Sequence, residues 1–289
     1  MPRTRPGTRV SVSIRAMARR FFGPLSRRFP RPFLSGLVGA GRHLPALLLG
    51  LVTAAARADG EAGAAASPGW IAVDVGHTLA APGATSARGR SEFEFNRELA
   101  GRVVEALRAR GFRVGLINAD GRIESLHARP QAATGAGFLL SIHHDSVNAH
   151  ELRPWEWSGQ ALDYNDDFAG HSLFVSRDNP DTARSVLCGR VIGARLQRLG
   201  FEPTHKNGRR RAYADREHAV HYYDGLAVLR HARMPALLFE AGIIKNRDEE
   251  VLLRDPARQA RMADGIATAL AACLRHGQPA DDEAGADRR

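Results

Sequence analysis

Three short apolar runs, each followed closely by a histidine or a glutamate, are the clearest pattern in the chain. The runs and the side chains that follow them are Ile71–Val75 with His77, Phe138–Ile142 with His143, and Ala236–Phe239 with Glu240. Continuous apolar runs of this length are typical of strands buried on both faces of a parallel sheet. Because open parallel sheets carry their sites at the carboxyl ends of the strands, the three polar side chains are expected to converge.

Between these runs, apolar residues recur every three or four positions, which predicts helices. Helices are expected over residues 92–110, 123–134, 181–199 and 256–274, with further strands over 112–117, 172–176 and 228–229. The alternation predicts an α/β fold: a single domain over residues 70–275, with a mainly parallel twisted sheet of about six strands and helices on both faces. Residues 59–69 are predicted to be a flexible linker and residues 276–289 a disordered tail.

The strong positive charge of the chain comes from its first segment. Residues 1–58 hold eleven arginines and no lysine or acidic residue, so removing them takes the formal net charge from +10 to −1. The body of the protein is therefore close to neutral, and its charge gives no reason to expect nucleic-acid binding.

The same segment has the features of an export signal. Arginine-rich sequence precedes the apolar stretch Leu44–Val52, and small residues lead to Ala56–Ala58, after which cleavage is predicted. The apolar stretch is too short for a stable membrane anchor. We favour export to the periplasm by the Sec or the twin-arginine route, from a start at Met1 or Met17. An arginine-rich arm or an organelle transit peptide is the alternative.

The only two cysteines, Cys188 and Cys273, both lie in predicted helices. In an oxidising compartment they could pair, but two buried free thiols are the interpretation preferred here. The chain has no Cys-x-x-Cys motif, so a bound metal would need histidine and carboxylate ligands.

Histidine and carboxylate are the ligands of zinc where thiols are absent, and catalytic zinc sites use three protein ligands. His77 and His143 follow strands, and Glu92 opens the helix after the first strand. Glu240 ends a third strand, where it could act as a general base. Structural alternatives exist: His77 in a turn, Glu92 stabilising a helix N-terminus, and His143 or His144 as a core histidine. Under the same view Glu240 would be a carboxylate inside apolar sequence, which must be paired. Four such coincidences together are less economical than one metal site.

Five segments share their order and spacing with a known family. They are Ile71–His77, Pro82–Ala84, Glu92–Asn96, Ser141–His143 and Met234–Asn246. In these segments the chain resembles the zinc-dependent N-acetylmuramoyl-L-alanine amidases of type 3, which cut bacterial peptidoglycan. The resemblance implies a zinc amidase catalytic domain over residues 70–275. Hydrolysis is expected at the amide bond between N-acetylmuramic acid and the L-alanine of the stem peptide.

The resemblance also implies residue roles: His77, Glu92 and His143 as Zn²⁺ ligands and Glu240 as the catalytic carboxylate. The family pattern Glu-x-x-x-Asn selects Glu92 rather than Glu94, because an asparagine lies four residues after Glu92. The residue after His143 is a second histidine and remains a rival ligand. Strand alternation would point the two rings to opposite faces of the sheet.

Three segments depart from the family pattern without removing a ligand or a proton-transfer group. They are Thr78-Leu79 in place of two glycines, His144-Asp145 in place of Ala-Asn, and Ile243 in place of phenylalanine. These changes are expected to reshape the substrate groove.

Two other classes of protein remain open at this point. A zinc carboxypeptidase acting on stem peptides would use the same ligand types, but usually within one His-x-x-Glu turn. Here fourteen residues separate His77 from Glu92. A non-catalytic wall-binding relative would not need a general base such as Glu240.

Two further segments carry hypotheses. Residues 146–171 are long for a loop in an α/β domain and are a candidate lid, substrate-binding loop or site for a protein activator. The basic run Lys206–Arg211 is either a solvated loop or an attractor for anionic wall polymer or stem-peptide carboxylates. His218 and His221, which follow it, are weaker candidates for orienting substrate.

Overall fold

The computed structural model describes residues 69–276. Its strands are β1 (Ile71–Val75), β2 (Val114–Ile117), β3 (Phe138–Asp145), β4 (Arg153–Trp157), β5 (Gln160–Tyr164), β6 (Ser172–Val175), β7 (Tyr213–Asp215), β8 (Val220–Tyr222) and β9 (Ala236–Ile243). Its α-helices are α1 (Glu92–Arg108), α2 (Ala128–Ala132), α3 (Thr182–Arg198), α4 (Ala227–Arg230), α5 (Arg247–Arg254) and α6 (Pro256–His276). The predicted export signal, nearly all of the predicted linker and nearly all of the predicted tail lie outside the described residues.

Seven of these strands form one sheet in the order β2-β1-β3-β9-β6-β8-β7, and β4 and β5 form a separate hairpin. Strands β2, β1, β3 and β9 run parallel to one another. Strand β6 pairs with β9 in the antiparallel sense, as β7 does with β8. The predicted α/β class with a mainly parallel sheet is confirmed, with seven strands in place of about six. The two strands that were not predicted, β7 and β8, are three residues long, which is too short to show a period in the sequence.

Helices cover both faces of the sheet, as predicted. Alternate side chains of a strand point to opposite faces. Accordingly, Ile71 and Val73 belong to an apolar cluster with α1, α3 and α6, whereas Ala72 belongs to a second cluster with α4. Every residue of β1 is buried, which explains why this strand is a continuous apolar run interrupted only by Asp74.

Two element predictions are wrong in detail. Val228 and Leu229 lie in α4 and not in a strand, because an apolar pair is equally suited to a helix face that covers the sheet. The helix predicted over residues 123–134 is reduced to α2. The side-chain oxygen of Asn118 accepts a hydrogen bond from the Ile123 amide (3.0 Å), which folds the preceding segment against the end of β2.

The two cysteines form a disulfide between α3 and α6, so the preference for two free thiols is wrong. The helices pack side by side on one face of the sheet, and the Cα atoms of Cys188 and Cys273 lie 5.4 Å apart. The sequence separation of 85 residues conceals this proximity, which only the helix packing creates.

Candidate active site

The first predicted ligand sits on a turn with unusual backbone geometry. His77 follows β1 with a φ of 66°, in the left-handed region that few non-glycine residues adopt. The side-chain amide of Asn118 donates to the carbonyls of Val75 (2.8 Å) and His77 (2.6 Å). These two bonds hold the turn and offset part of the cost of the backbone strain.

The second predicted ligand, Glu92, is the first residue of α1 and reaches both histidines. Its Oε2 lies 3.0 Å from Nε2 of His77, and its Oε1 lies 3.1 Å from Nδ1 of His143. Burial works against ionisation of Glu92, but hydrogen bonds from the two histidines outweigh it and hold the pKa of Glu92 well below its usual range. Glu94 instead closes the helix cap by accepting from the Ser91 amide (3.2 Å).

His77, Glu92 and His143 form a cluster in which one ligand atom from each residue lies within 4.8 Å of the others. The rival His144 is directed elsewhere: its Nδ1 lies 2.8 Å from Oδ1 of Asn96 on α1. Burial lowers the pKa of His144 to about 3, so it is a neutral core side chain near pH 7. Asn96 also donates to Oε1 of Glu92 (3.3 Å), which links the core histidine to the cluster.

Glu240 lies beside this cluster, because β3 and β9 pair in a register that sets Glu240 opposite His143. Its Oε2 is buried and has no hydrogen-bond partner within the described residues. Burial raises the pKa of Glu240 well above its usual range, and the charges of Asp145 and Glu92 add to the rise, while Lys206 opposes it. A carboxylate in this setting is a stronger base than an exposed glutamate.

The cluster and Glu240 line a common cavity of about 660 Å³. Its other walls are largely apolar and come from the loop after β1, the start of α2, the segment around α4 and the middle of β9. The apolar lining includes Ala80, Ala81, Leu126, Leu226, Val228 and Leu238. This volume suits a substrate of several sugar or amino-acid units with one reacting bond beside the cluster.

Two glycines allow this close packing. A Cβ on Gly76 would lie 2.4 Å from Nε2 of His143. A Cβ on Gly83, which has a φ of 80°, would lie 2.5 Å from Oε2 of Glu92. Both glycines belong to segments that carried the family resemblance, and the structure gives a steric reason for the residue type.

Sequence reasoning missed a buried ion pair beneath the site. Nε of Arg129 on α2 donates to Oδ1 of Asp74 in β1 (2.9 Å), and the Ser141 hydroxyl donates to Oδ2 (2.6 Å). Burial raises the pKa of Asp74, although the guanidinium and the hydroxyl both stabilise its charge. Arg129 also donates to the Val75 carbonyl and lines the cavity. The available signal was a lone aspartate inside an apolar strand, which must be paired.

The weaker candidates do not line this cavity. His218 bonds Asp215 through Nδ1 (2.8 Å). His221 is buried, with its ring 5.5 Å from that of Phe174 and 4.5 Å from that of Tyr213. The structure therefore does not bring these two histidines to the cavity that holds the cluster.

The segment over residues 146–171 forms the β4–β5 hairpin, which also stands outside the cavity. Nε1 of Trp155 donates to the Ala87 carbonyl (2.9 Å), and the guanidinium of Arg247 lies 3.7 Å from the ring centroid of Tyr164. Only Ser146 of this segment lines the cavity, so the hairpin does not cover the cluster. Trp157 at its tip is 42% exposed.

None of the helices within residues 69–276 is both long enough and apolar enough to cross a bilayer.

Fold and site together define an α/β protein with a His-Glu-His cluster and a neighbouring carboxylate at the carboxyl ends of three adjacent strands. The family model for N-acetylmuramoyl-L-alanine amidases matches residues 71–272. The chain belongs to this family, and the resemblance seen in the sequence is confirmed. It is accordingly an N-acetylmuramoyl-L-alanine amidase by family and fold, in a class of enzymes that hydrolyses peptidoglycan.

Solved structures of amidases share the fold at low sequence identity. The amidase Ami1 of Mycobacterium smegmatis matches with a TM-score of 0.57 and 20% identity, over 71% of this chain and 95% of that one. The catalytic domain of CwlV from Bacillus (Paenibacillus) polymyxa var. colistinus matches with a TM-score of 0.55 and 24% identity, over 71% and 97%. The CwlD amidase of Clostridioides difficile, solved in complex with the GerS lipoprotein, matches with a TM-score of 0.54 and 20% identity, over 71% and 98%. No match was found among curated protein sequences.

Proposed function

We propose that this amidase is zinc-dependent, with His77, Glu92 and His143 as the metal ligands and Glu240 as the proton-transfer group. The observation that carries the proposal is that the three donor atoms lie within 4.8 Å of one another, beside Oε2 of Glu240, which has no hydrogen-bond partner within residues 69–276.

The donor set fits zinc by chemistry and by size. Two imidazoles and one carboxylate form one of the ligand sets of catalytic zinc sites, which leave a further position open. Zinc–ligand bonds of about 2.0–2.1 Å in a tetrahedral arrangement separate neighbouring ligand atoms by roughly 3.3 Å. The donor atoms of Glu92 already lie 3.0 and 3.1 Å from those of the two histidines. Both cysteines are engaged in the disulfide and cannot contribute thiolate.

When bound, zinc supplies Lewis-acid polarisation and makes water more acidic. Glu240 would take a proton from the attacking water and return it to the leaving nitrogen as the amide C–N bond breaks. The apolar wall that includes Leu126 and Leu226 would exclude bulk water, which strengthens electrostatic interactions within the cavity. The products would be a glycan strand and a stem peptide that begins with L-alanine.

We also propose that the protein is exported to the periplasm and processed after Ala58. The disulfide supports this assignment, because disulfides persist in oxidising compartments. Amino-terminal sequencing of the mature protein should begin at Asp59. A mature protein that retains residues 1–58 would contradict the signal assignment.

A protein partner acting on residues 146–171 is a further part of the proposal. Its support is the largely exposed hairpin with Trp157, and one amidase of the same fold was solved in complex with a lipoprotein. Because the hairpin does not line the cavity, such a partner would act by contacts beside the site and not by removing a plug.

Product analysis tests the catalytic proposal. Purified peptidoglycan is digested with the zinc-loaded protein, with the chelator-treated protein and after zinc is restored, and the fragments are identified by mass spectrometry. Free L-alanine amino termini that depend on zinc are expected. Trimming at the carboxyl end would indicate a carboxypeptidase, and no product would indicate a wall-binding protein.

Variants separate metal binding from proton transfer. Glu240→Ala should retain zinc and lose hydrolysis, whereas Glu105→Ala, which removes an exposed carboxylate on α1, should behave as wild type. Undiminished clearance of peptidoglycan by Glu240→Ala would refute the role of this carboxylate.

A further inference from the structure

A second, smaller cavity adjoins the catalytic one and is strongly basic. It has a volume of about 220 Å³ and shares Asp145 and Ser146 with the catalytic cavity. Its cationic lining comes from a single turn of chain between α3 and β7 and comprises Lys206, Arg209, Arg210 and Arg211. We call it the basic cavity.

Two of its four cations already have carboxylate partners. Nζ of Lys206 lies 2.9 Å from Oδ2 of Asp145, and Nη1 of Arg209 lies 2.7 Å from Oε1 of Glu151. Each ion pair holds the basic turn to a neighbouring segment, and the paired charges cancel, so Lys206 and Arg209 have no net charge left to attract an anion.

The other two cations have no carboxylate partner among the described residues. Arg210 is exposed, and its Nη1 donates to the side-chain oxygen of Asn148 (2.8 Å), which is neutral. The guanidinium carbon of Arg211 lies 3.3 Å from the ring centroid of Tyr223, and Nε of Arg211 is buried with no hydrogen-bond partner in residues 69–276. The basic cavity thus carries two positive charges that no carboxylate in the described part of the chain pairs with.

The backbone that carries these two arginines is tied to β3, the strand of His143. The amides of Arg210 and Arg211 both donate to the Asn207 carbonyl (3.1 Å each). The Asn207 side chain donates in turn to Oδ2 of Asp145 (2.9 Å), two residues after His143 on β3. An anion held by the two guanidinium groups would therefore lie in the cavity next to the catalytic one.

We propose that Arg210 and Arg211 form a subsite for a carboxylate of the stem peptide, on the peptide side of the scissile amide. The inference rests on the proposed function, because that function brings a stem peptide into the catalytic cavity, which the basic cavity adjoins. A peptide joined to muramic acid through its amino end carries its terminal carboxylate away from the amide that is cut. Guanidinium groups are the side chains best suited to bind carboxylate through two hydrogen bonds.

Paired substrates test the subsite. Two N-acetylmuramoyl peptides of the same sequence are compared, one ending in a carboxylate and one in a carboxamide. For the wild type, KM is expected to be about tenfold lower for the carboxylate, equivalent to about 1.4 kcal/mol. Arg210→Gln and Arg211→Gln should each remove most of that difference with kcat unchanged.

The control is Arg198→Gln, which removes the same charge from an exposed position at the end of α3. It should retain the wild-type preference. Should Arg211→Gln fail to fold, the exposed Arg210 still tests the subsite. An equal rise of KM for both substrates, or no change, would overturn the proposal. Binding to a glycerol-phosphate polymer is measured for the same variants. If they lose this binding but keep the preference for the carboxylate substrate, the arginines bind phosphate and the proposal is overturned.

Failure of the subsite can be distinguished from failure of the proposed function. Calorimetry with the Glu240→Ala protein measures binding of the same two peptides without turnover. If the carboxylate peptide binds more tightly than the carboxamide peptide, and adding Arg210→Gln abolishes this difference, the subsite is supported even if no hydrolysis occurs. Equal binding of the two peptides overturns the subsite even if the enzyme hydrolyses both.

Discussion

Adding one methyl group at Gly76 should disturb the His77-Glu92-His143 cluster while leaving the fold intact. Gly76 has no positive φ, so alanine is compatible with its backbone, and the change isolates the steric effect of the methyl. The new Cβ would lie 2.4 Å from Nε2 and 2.5 Å from Cε1 of His143, whereas ordinary contact begins near 3.4 Å. The imidazole would have to move by about 1 Å, several times the ~0.2 Å tolerance of a metal–ligand distance.

We therefore expect Gly76→Ala to weaken zinc binding by at least 10–100-fold, the range seen when groups that orient a ligand are altered. Overpacking should cost about 1–3 kcal/mol of folding free energy, which a domain of this size tolerates. Zinc affinity is measured by competition with a chromophoric chelator, and stability by urea unfolding. Gly101→Ala on α1 is the matched control, because its added Cβ meets no atom within 4 Å. Wild-type zinc affinity in Gly76→Ala would refute the steric reasoning.

Three further predictions concern stability and the hairpin. Burial lowers the pKa of His171 to about 4, and the Glu202 backbone opposes this shift only in part. The free energy of unfolding should therefore be highest above pH 6.5 and fall as the pH approaches 4, by roughly 2 kcal/mol between pH 7 and 5. His171→Leu should reduce this pH dependence in urea unfolding, and an unchanged pH dependence would contradict the prediction. Replacing Cys188 and Cys273 by alanine should cost roughly 2–4 kcal/mol, near the upper end because the loop closes 85 residues, and a reductant should destabilise the wild type but not the variant. Replacing residues 153–164 by two glycines should leave basal hydrolysis unchanged, because the hairpin does not line the catalytic cavity; a large gain or loss of basal activity would show that the hairpin gates the site or binds substrate.

The sequence predicted the parts of the fold that are continuous in the chain. Strands β1, β3 and β9 are long apolar runs, and α1 has a clear helical period, so their approximate positions were evident. The register that sets Glu240 opposite His143 was not evident, because pairing between distant strands leaves no local signal. The same limit applies to the disulfide. Strands β7 and β8 were not predicted because three residues are too few to show a period.

The sequence singled out four residues that the structure brings together, but not the contacts that support them. His77, His143 and Glu240 were noticed because they follow buried apolar strands, and Glu92 because of its family pattern with Asn96. The Asp74–Arg129 ion pair could not be predicted, because 54 residues lie between the two partners and neither segment carries a signal that identifies the other.

Glu240 lies beside the cluster only because the hydrogen bonds between β3 and β9 set it opposite His143. A slip of β9 by one residue would set Phe239 or Ala241 opposite His143 and turn the carboxylate to the face that packs against α1. This strand should therefore tolerate exchanges of apolar residues while rejecting every insertion or deletion of a single residue. In directed evolution of the protein, length variation should survive in the hairpin and be absent from β9.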